Sequence, residues 1–155
     1  MLPLPLLLAP AVLQGLAMLV DEGWCHRRRG LGRWERLGHP IDTLSVAACY
    51  ALLVFAQPEA PHALAAYVGL ALFSCVLITK DEPVHSRECG ALESWLHAVL
   101  FVLHPIVFIA FGLVWRSGEH AWLIRSQLAL TLTFAAYQSL YWSVLWKREP
   151  TRAVV

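Results

Sequence analysis

The sequence predicts an all-α bundle of about five membrane-spanning helices, forming a single integral membrane domain over residues 1–155. Three observations predict it. Hydrophobic residues make up 58% of the chain and charged residues 15%, where an ordinary soluble domain is roughly a quarter charged. Five stretches are apolar enough, some of them narrowly, to cross a hydrocarbon core of about 30 Å, which takes about 20 residues. The ionisable residues gather almost entirely at one end of those stretches.

The five stretches are Leu4–Val20, Ile41–Gln57, Ala63–Thr79, Ala91–Trp115 and Trp122–Trp146. The first has the apolarity of a secretory signal. It lacks a charged leading region, however, and residues 21–29 offer no small-residue cleavage site, so it is read as a retained span. The second and third are joined by the short turn Pro58–His62, and the fourth and fifth by Arg116–Ala121. No internal repeat interrupts this order.

Let side A be the side on which the first span ends. It then owns Asp21–Pro40, Lys80–Gly90 and the tail from Lys147, and side B owns the N-terminus and the two short turns. Ten of the twelve Lys and Arg fall on side A; Arg116 and Arg125 are the exceptions. Such a bias in short loops places side A in the cytoplasm, the N-terminus outside, and the chain in the cell inner membrane as a multi-pass protein. Tryptophans mark the same boundaries: Trp24, Trp34, Trp142 and Trp146 near side A, Trp115 and Trp122 near side B. A net charge of +1 gives no basic surface for nucleic acid. The four cysteines show no CxxC spacing, which excludes a zinc knuckle or thioredoxin-type motif.

Acids and histidines follow the same partition. Each side-A histidine has an acid four residues before it: Glu22/His26, Glu35/His39, Asp81/His85 and Glu93/His97, with Glu82/His85 as a further i,i+3 pair. Residues at these spacings share a helix face, so each pair can present a carboxylate oxygen and an imidazole nitrogen to one point. The ordinary alternative is a set of solvated hydrogen bonds at helix ends. Depth favours a metal site, because Glu93 and His97 lie within an apolar helix and Asp81 and Glu82 directly follow a span, where unpaired ionisable groups cost several kcal/mol. Mixed carboxylate and imidazole ligands suit iron or manganese, and zinc less distinctively. The set is large enough for two metal ions.

Glu82-Pro83-Val84-His85 forms an E-x-x-H motif. With inward acids on other helices, it resembles the di-iron or di-manganese carboxylate proteins of the ferritin-like class. That class carries two such motifs and this chain one, its other pairs being E-x-x-x-H. The resemblance implies Glu82 and His85 as ligands; Glu22, His26, Asp81, Glu93 and His97 join them by geometry. Whether Glu35, His39, Glu88 and His104 belong is left open, and Glu35 ranks below Glu93 because Gly30 and Gly32 mark a flexible loop beside it. Cys25 and Cys89 are possible extra ligands. Tyr137, Gln138 and Tyr141 on the fifth span can donate hydrogen bonds to ligating carboxylates. Tyr137 and Tyr141, one turn apart, are the candidates for assisting proton or electron transfer; the ordinary alternative is that the two tyrosines pack or anchor at the interface. His104 precedes Pro105, and its imidazole is expected to bond the carbonyl that the proline frees, the alternative being a proton relay or a haem ligand.

These features favour an enzyme, a membrane oxidoreductase with two metal ions, most plausibly iron, acting on a lipid-soluble small-molecule substrate from the cytoplasmic leaflet. A redox partner or a homo-oligomer would complete it. The alternatives are a zinc-dependent membrane hydrolase on the same ligands, and a non-enzymatic haem- or metal-binding membrane protein or accessory subunit.

Overall fold

The computed structural model describes residues 3–146 and is all-helical, with five helices. Helix α1 runs over Leu4–Arg29, α2 over Arg33–Phe55, α3 over Ala63–Glu88 and α4 over Ala91–Ser117. Helix α5 covers Ala121–Leu140 and is prolonged by Tyr141–Leu145. The tail that contributes Lys147, Arg148, Glu149 and Arg152 to side A lies outside the described residues.

Helices α1 to α4 are long and apolar enough to cross a membrane. Helix α5 has the expected extent but falls short in apolarity, because Arg125, Gln127 and Gln138 interrupt its hydrophobic run. Large apolar side chains such as Leu6, Leu72, Val76, Val102 and Ile109 lie exposed on the outer faces of the first four. A water-facing surface rarely carries so much continuous hydrocarbon.

The side-A ends reach further than the apolar runs alone suggest. Helix α2 begins about two turns before its expected start, because Glu35 Oε2 accepts the Gly32 N–H at 3.0 Å and caps the first turn. Gly30 holds the connection from α1 at φ 73°, and a Cβ there would lie 2.7 Å from the Trp146 ring. The turn is therefore closed against the end of α5 rather than a free loop. Helix α3 tightens into a 3₁₀ turn at Ile78–Asp81, and both α1 (Asp21–His26) and α5 (Tyr141–Leu145) widen into π turns at this end.

Helix α2 packs mainly on α5 and then on α3, and α1 packs on α4. Towards side B the interior is apolar, built on Cys49, Tyr50, Leu53, Phe108, Phe111 and Trp115. Two buried polar tips there are satisfied by backbone carbonyls: Tyr67 donates to Phe108 at 2.6 Å and Trp115 Nε1 to Ala56 at 3.0 Å. Towards side A the interior turns polar.

Candidate metal centre

Four histidines from four helices close a ring at the side-A end. His26 (α1) and His39 (α2) have centroids 4.7 Å apart, His39 and His85 (α3) 6.5 Å, His85 and His97 (α4) 4.0 Å, and His97 and His26 6.2 Å. All four are well buried, with His39 the most open at 11% side-chain exposure.

The local structure of α1 explains how one helix supplies three of the groups. In a π turn the repeat is i→i+5, so Asp21 as well as Glu22 can face the same way as His26. Asp21, Glu22, Cys25 and His26 are all buried. Nε2 of His26 stands 3.2 Å from Asp21 Oδ2 and 3.5 Å from Glu93 Oε1, and its Nδ1 stands 3.5 Å from Glu22 Oε2. His97 Nε2 is 3.1 Å from Asp21 Oδ2. On the other side of the ring, His85 Nε2 is 3.6 Å from Glu35 Oε1 and His39 Nε2 is 3.6 Å from Asp81 Oδ2.

Two non-overlapping ligand sets emerge. Asp21, His26, Glu93 and His97 each offer a ligand atom within 4.8 Å of the others, and so do Glu35, His39 and His85. Glu22 with His26 and His39, and Cys89 with His85 and His97, bridge the two sets. Burial beside Glu93 pushes the Cys89 thiol up to about 12, so its sulfur ligates only where a cation displaces the proton. Several atoms have no hydrogen-bond partner among the described residues: His26 Nε2, both ring nitrogens of His85, His97 Nδ1 and Asp21 Oδ1. Buried polar atoms are normally satisfied. Unsatisfied atoms on three helices, in residues that each offer a ligand atom within 4.8 Å of the next, are what an ion between them would satisfy, so the residues present fit a metal.

Two cations of the chain's own also enter this region. Arg29 clamps Glu35 with Nη1 and Nη2 at 3.0 and 2.6 Å, reaches Glu93 Oε1 at 2.9 Å, and lies 3.4 Å from Glu88. Lys80 Nζ binds Asp42 closely and Asp81 at 2.8 Å. Gly38 makes room for it, since a Cβ there would lie 2.8 Å from Lys80 Cε. Both cations are turned inward, where they balance carboxylates. An arginine six residues before a glutamate carries no sequence signal of this.

The structure gathers Glu22, His26, Asp81, His85, Glu93 and His97 from the expected set, brings in Glu35 and His39, which spacing leaves open, and adds Asp21, which spacing does not single out. Glu35 is fully buried, at 0% exposure, which reverses its ranking as a loop-side residue. Glu82 is placed differently: its side chain is 47% exposed, 4.0 Å from His85 Nδ1, and outside both ligand sets. The acid–histidine groups that the fold assembles are thus not specific to a ferritin-like motif. Glu88 touches the site only through Arg29.

Tyr137 and Tyr141 stack on each other at 5.5 Å and hold Arg27, which donates to the Tyr137 hydroxyl at 3.1 Å. Neither lines the cavity. Their neighbours reach the centre instead. Gln138 Nε2 donates to Glu22 Oε2 at 3.2 Å, Trp142 Nε1 donates to Glu22 Oε1, and Thr43 fixes the Gln138 amide by donating to its Oε1 at 2.7 Å. Trp142 is completely buried; as one of several span-end tryptophans it could not be told from an interface anchor. His104 lies apart from the centre. Ser74 Oγ stands 3.0 Å from its Nε2 and Gln14 Nε2 3.2 Å from its Nδ1, rather than a carbonyl freed by Pro105.

A cavity of about 120 Å³ opens between these groups, lined by Asp21, Glu22, His26, His39, Asp81 and His85. Asp42, His97 and Gln138 also line it, and an apolar part of the wall is formed by Met18, Ile78, Leu100, Phe101 and Phe134. No protein-family model matches the chain, and no curated protein or solved structure matches it.

Proposed function

We propose that the chain is an integral membrane metalloprotein with a two-ion carboxylate–imidazole centre, working as an oxidoreductase on a lipid-soluble substrate. The observation that carries this reading is the pair of separate ligand sets, Asp21/His26/Glu93/His97 and Glu35/His39/His85, meeting across one ring of imidazoles. Nitrogen and oxygen donors with at most one thiol favour iron or manganese. Either ion, once held, supplies one-electron chemistry.

The chain's own residues do the rest. Gln138 and Trp142 hold Glu22 in one orientation, as second-layer hydrogen bonds do for ligating carboxylates. Arg29 and Lys80 offset the negative charge of Glu35, Glu93, Asp42 and Asp81. The apolar wall of Met18, Leu100 and Phe101 suits a hydrocarbon substrate and keeps bulk water off the polar half.

Five spans with the centre on the cytoplasmic side of the inner membrane fit the lysine and arginine bias. Helix α5 completes the bundle despite its lower apolarity, because its polar Gln138 is buried and bonded against α1 and α2 rather than offered to lipid.

Metal analysis of the purified protein after loading with iron or manganese tests the reading. Two equivalents per chain are expected. Less than one equivalent of any transition metal sinks it, and retention of zinc alone turns the assignment to hydrolysis on the same ligands.

A further inference from the structure

A second concavity runs between α3 and α4, away from the metal centre. It encloses about 350 Å³ and is lined by residues that include Leu64, Val68 and Cys75 on α3 and Pro105, Ile109 and Gly112 on α4, with Arg116 at its side-B end. Eleven residues separate Leu64 from Cys75, which at 1.5 Å per residue makes the furrow roughly 16 Å long. That is about half of a 30 Å hydrocarbon core.

Its chemistry is one-sided. The Tyr67 hydroxyl within it is already spent on the Phe108 carbonyl at 2.6 Å. Nothing else along the wall offers a strong hydrogen bond until Arg116, which is exposed. A narrow hydrocarbon slot ending on an exposed guanidinium matches a chain with an anionic head.

The deep end is oriented. Ile78, three residues beyond Cys75, and Phe101, four residues before Pro105, both line the cavity of the metal centre. Furrow and cavity therefore follow one another along the same two helices, about one turn apart.

We propose that this furrow seats one acyl chain of a phospholipid, its headgroup phosphate on Arg116 and its chain end directed at the carboxylate–imidazole cavity. The site thereby names the lipid-soluble substrate as a long-chain acyl lipid. The seat rests on the membrane reading, and only the chain's destination rests on the metal centre.

The test uses the full chain in lipid nanodiscs with phosphatidylglycerol carrying a diazirine at the end of one acyl chain. Photolabelling is expected to concentrate on residues 75–78 and 101–105, in metal-loaded and chelated protein alike. Arg116→Gln removes a charge-assisted contact and is expected to cut this labelling about tenfold, while Arg116→Lys largely preserves it. Val68→Trp, at a position 46% exposed, fills the furrow from outside the core and is expected to abolish the labelling with an unchanged melting temperature. Labelling spread evenly around the outer faces of α1 and α5 overturns the proposal. So does labelling that ignores both substitutions, or none at the furrow, as a second copy docked there would produce. Because chelated protein is expected to label equally, failure of the metal reading is seen separately, in the metal analysis.

Discussion

His85 and His97 lie with ring centroids 4.0 Å apart, their planes tilted by 36°, although one rides on α3 and the other on α4. The contact ties the short last segment of α3 to the first turns of α4. Three of their four ring nitrogens have no hydrogen-bond partner among the described residues. With Cys89, the two imidazoles each offer a ligand atom within 4.8 Å of the others, a group that could hold an ion.

His26 belongs to one of the two ligand sets and also to the bridging group with Glu22 and His39, so His26→Ala is expected to lower metal content at both positions and to lower stability with it. His104→Ala is the contrasting case. It strips partners from Ser74 and Gln14, at a cost of about 1–3 kcal/mol, and leaves metal content unchanged. Metal analysis with thermal unfolding of both variants separates the centre from the mid-bundle polar contact; metal loss in His104→Ala would place the centre wrongly.

Glu35→Ala is expected to destabilise at least as much as Glu93→Ala, by about 3–5 kcal/mol, since each leaves Arg29 partly unpaired in a buried setting. Glu82→Ala is expected to stay within about 0.5 kcal/mol, as an exposed side chain does. Denaturant unfolding of the three variants checks the order. A costly Glu82→Ala would restore the E-x-x-H motif to the ligand set.

Arg29→Gln removes the cation shared by Glu35 and Glu93 and leaves two buried carboxylates facing each other. The metal-free variant is expected to lose about 3–5 kcal/mol. A divalent ion replaces the missing charge, so manganese is expected to raise its melting temperature more than that of the wild type. An equal shift in both proteins would show that Arg29 and the ion do not share those carboxylates.

Trp142→Phe deletes one of the hydrogen bonds orienting Glu22, and metal affinity is expected to fall about 10- to 100-fold. Tyr137→Phe loses only the bond from Arg27 and is expected to bind metal normally. Titrating both variants with manganese distinguishes them.

Much of this was legible in the chain. The apolar stretches located all five helices, and i,i+4 spacing correctly joined Glu22 to His26 and Glu93 to His97 on inward faces. Spacing was silent about Arg29, whose partners come from α2 and α4, and about Trp142, whose partner lies 120 residues away. It also misjudged Glu35, because a glycine-flanked position looks mobile until the Trp146 ring is seen closing the turn.

By itself, the sequence determined that the chain is helical and apolar, and that its acids and histidines collect at one end. Those follow from residue composition and period, which are local properties. Only the tertiary structure decided which side chains face inward: Glu35 rather than Glu82, Gln138 and Trp142 rather than Tyr137 and Tyr141. Helical period makes residues share a face, but the packing of neighbouring helices and the wider π turns of α1 and α5 choose where that face points.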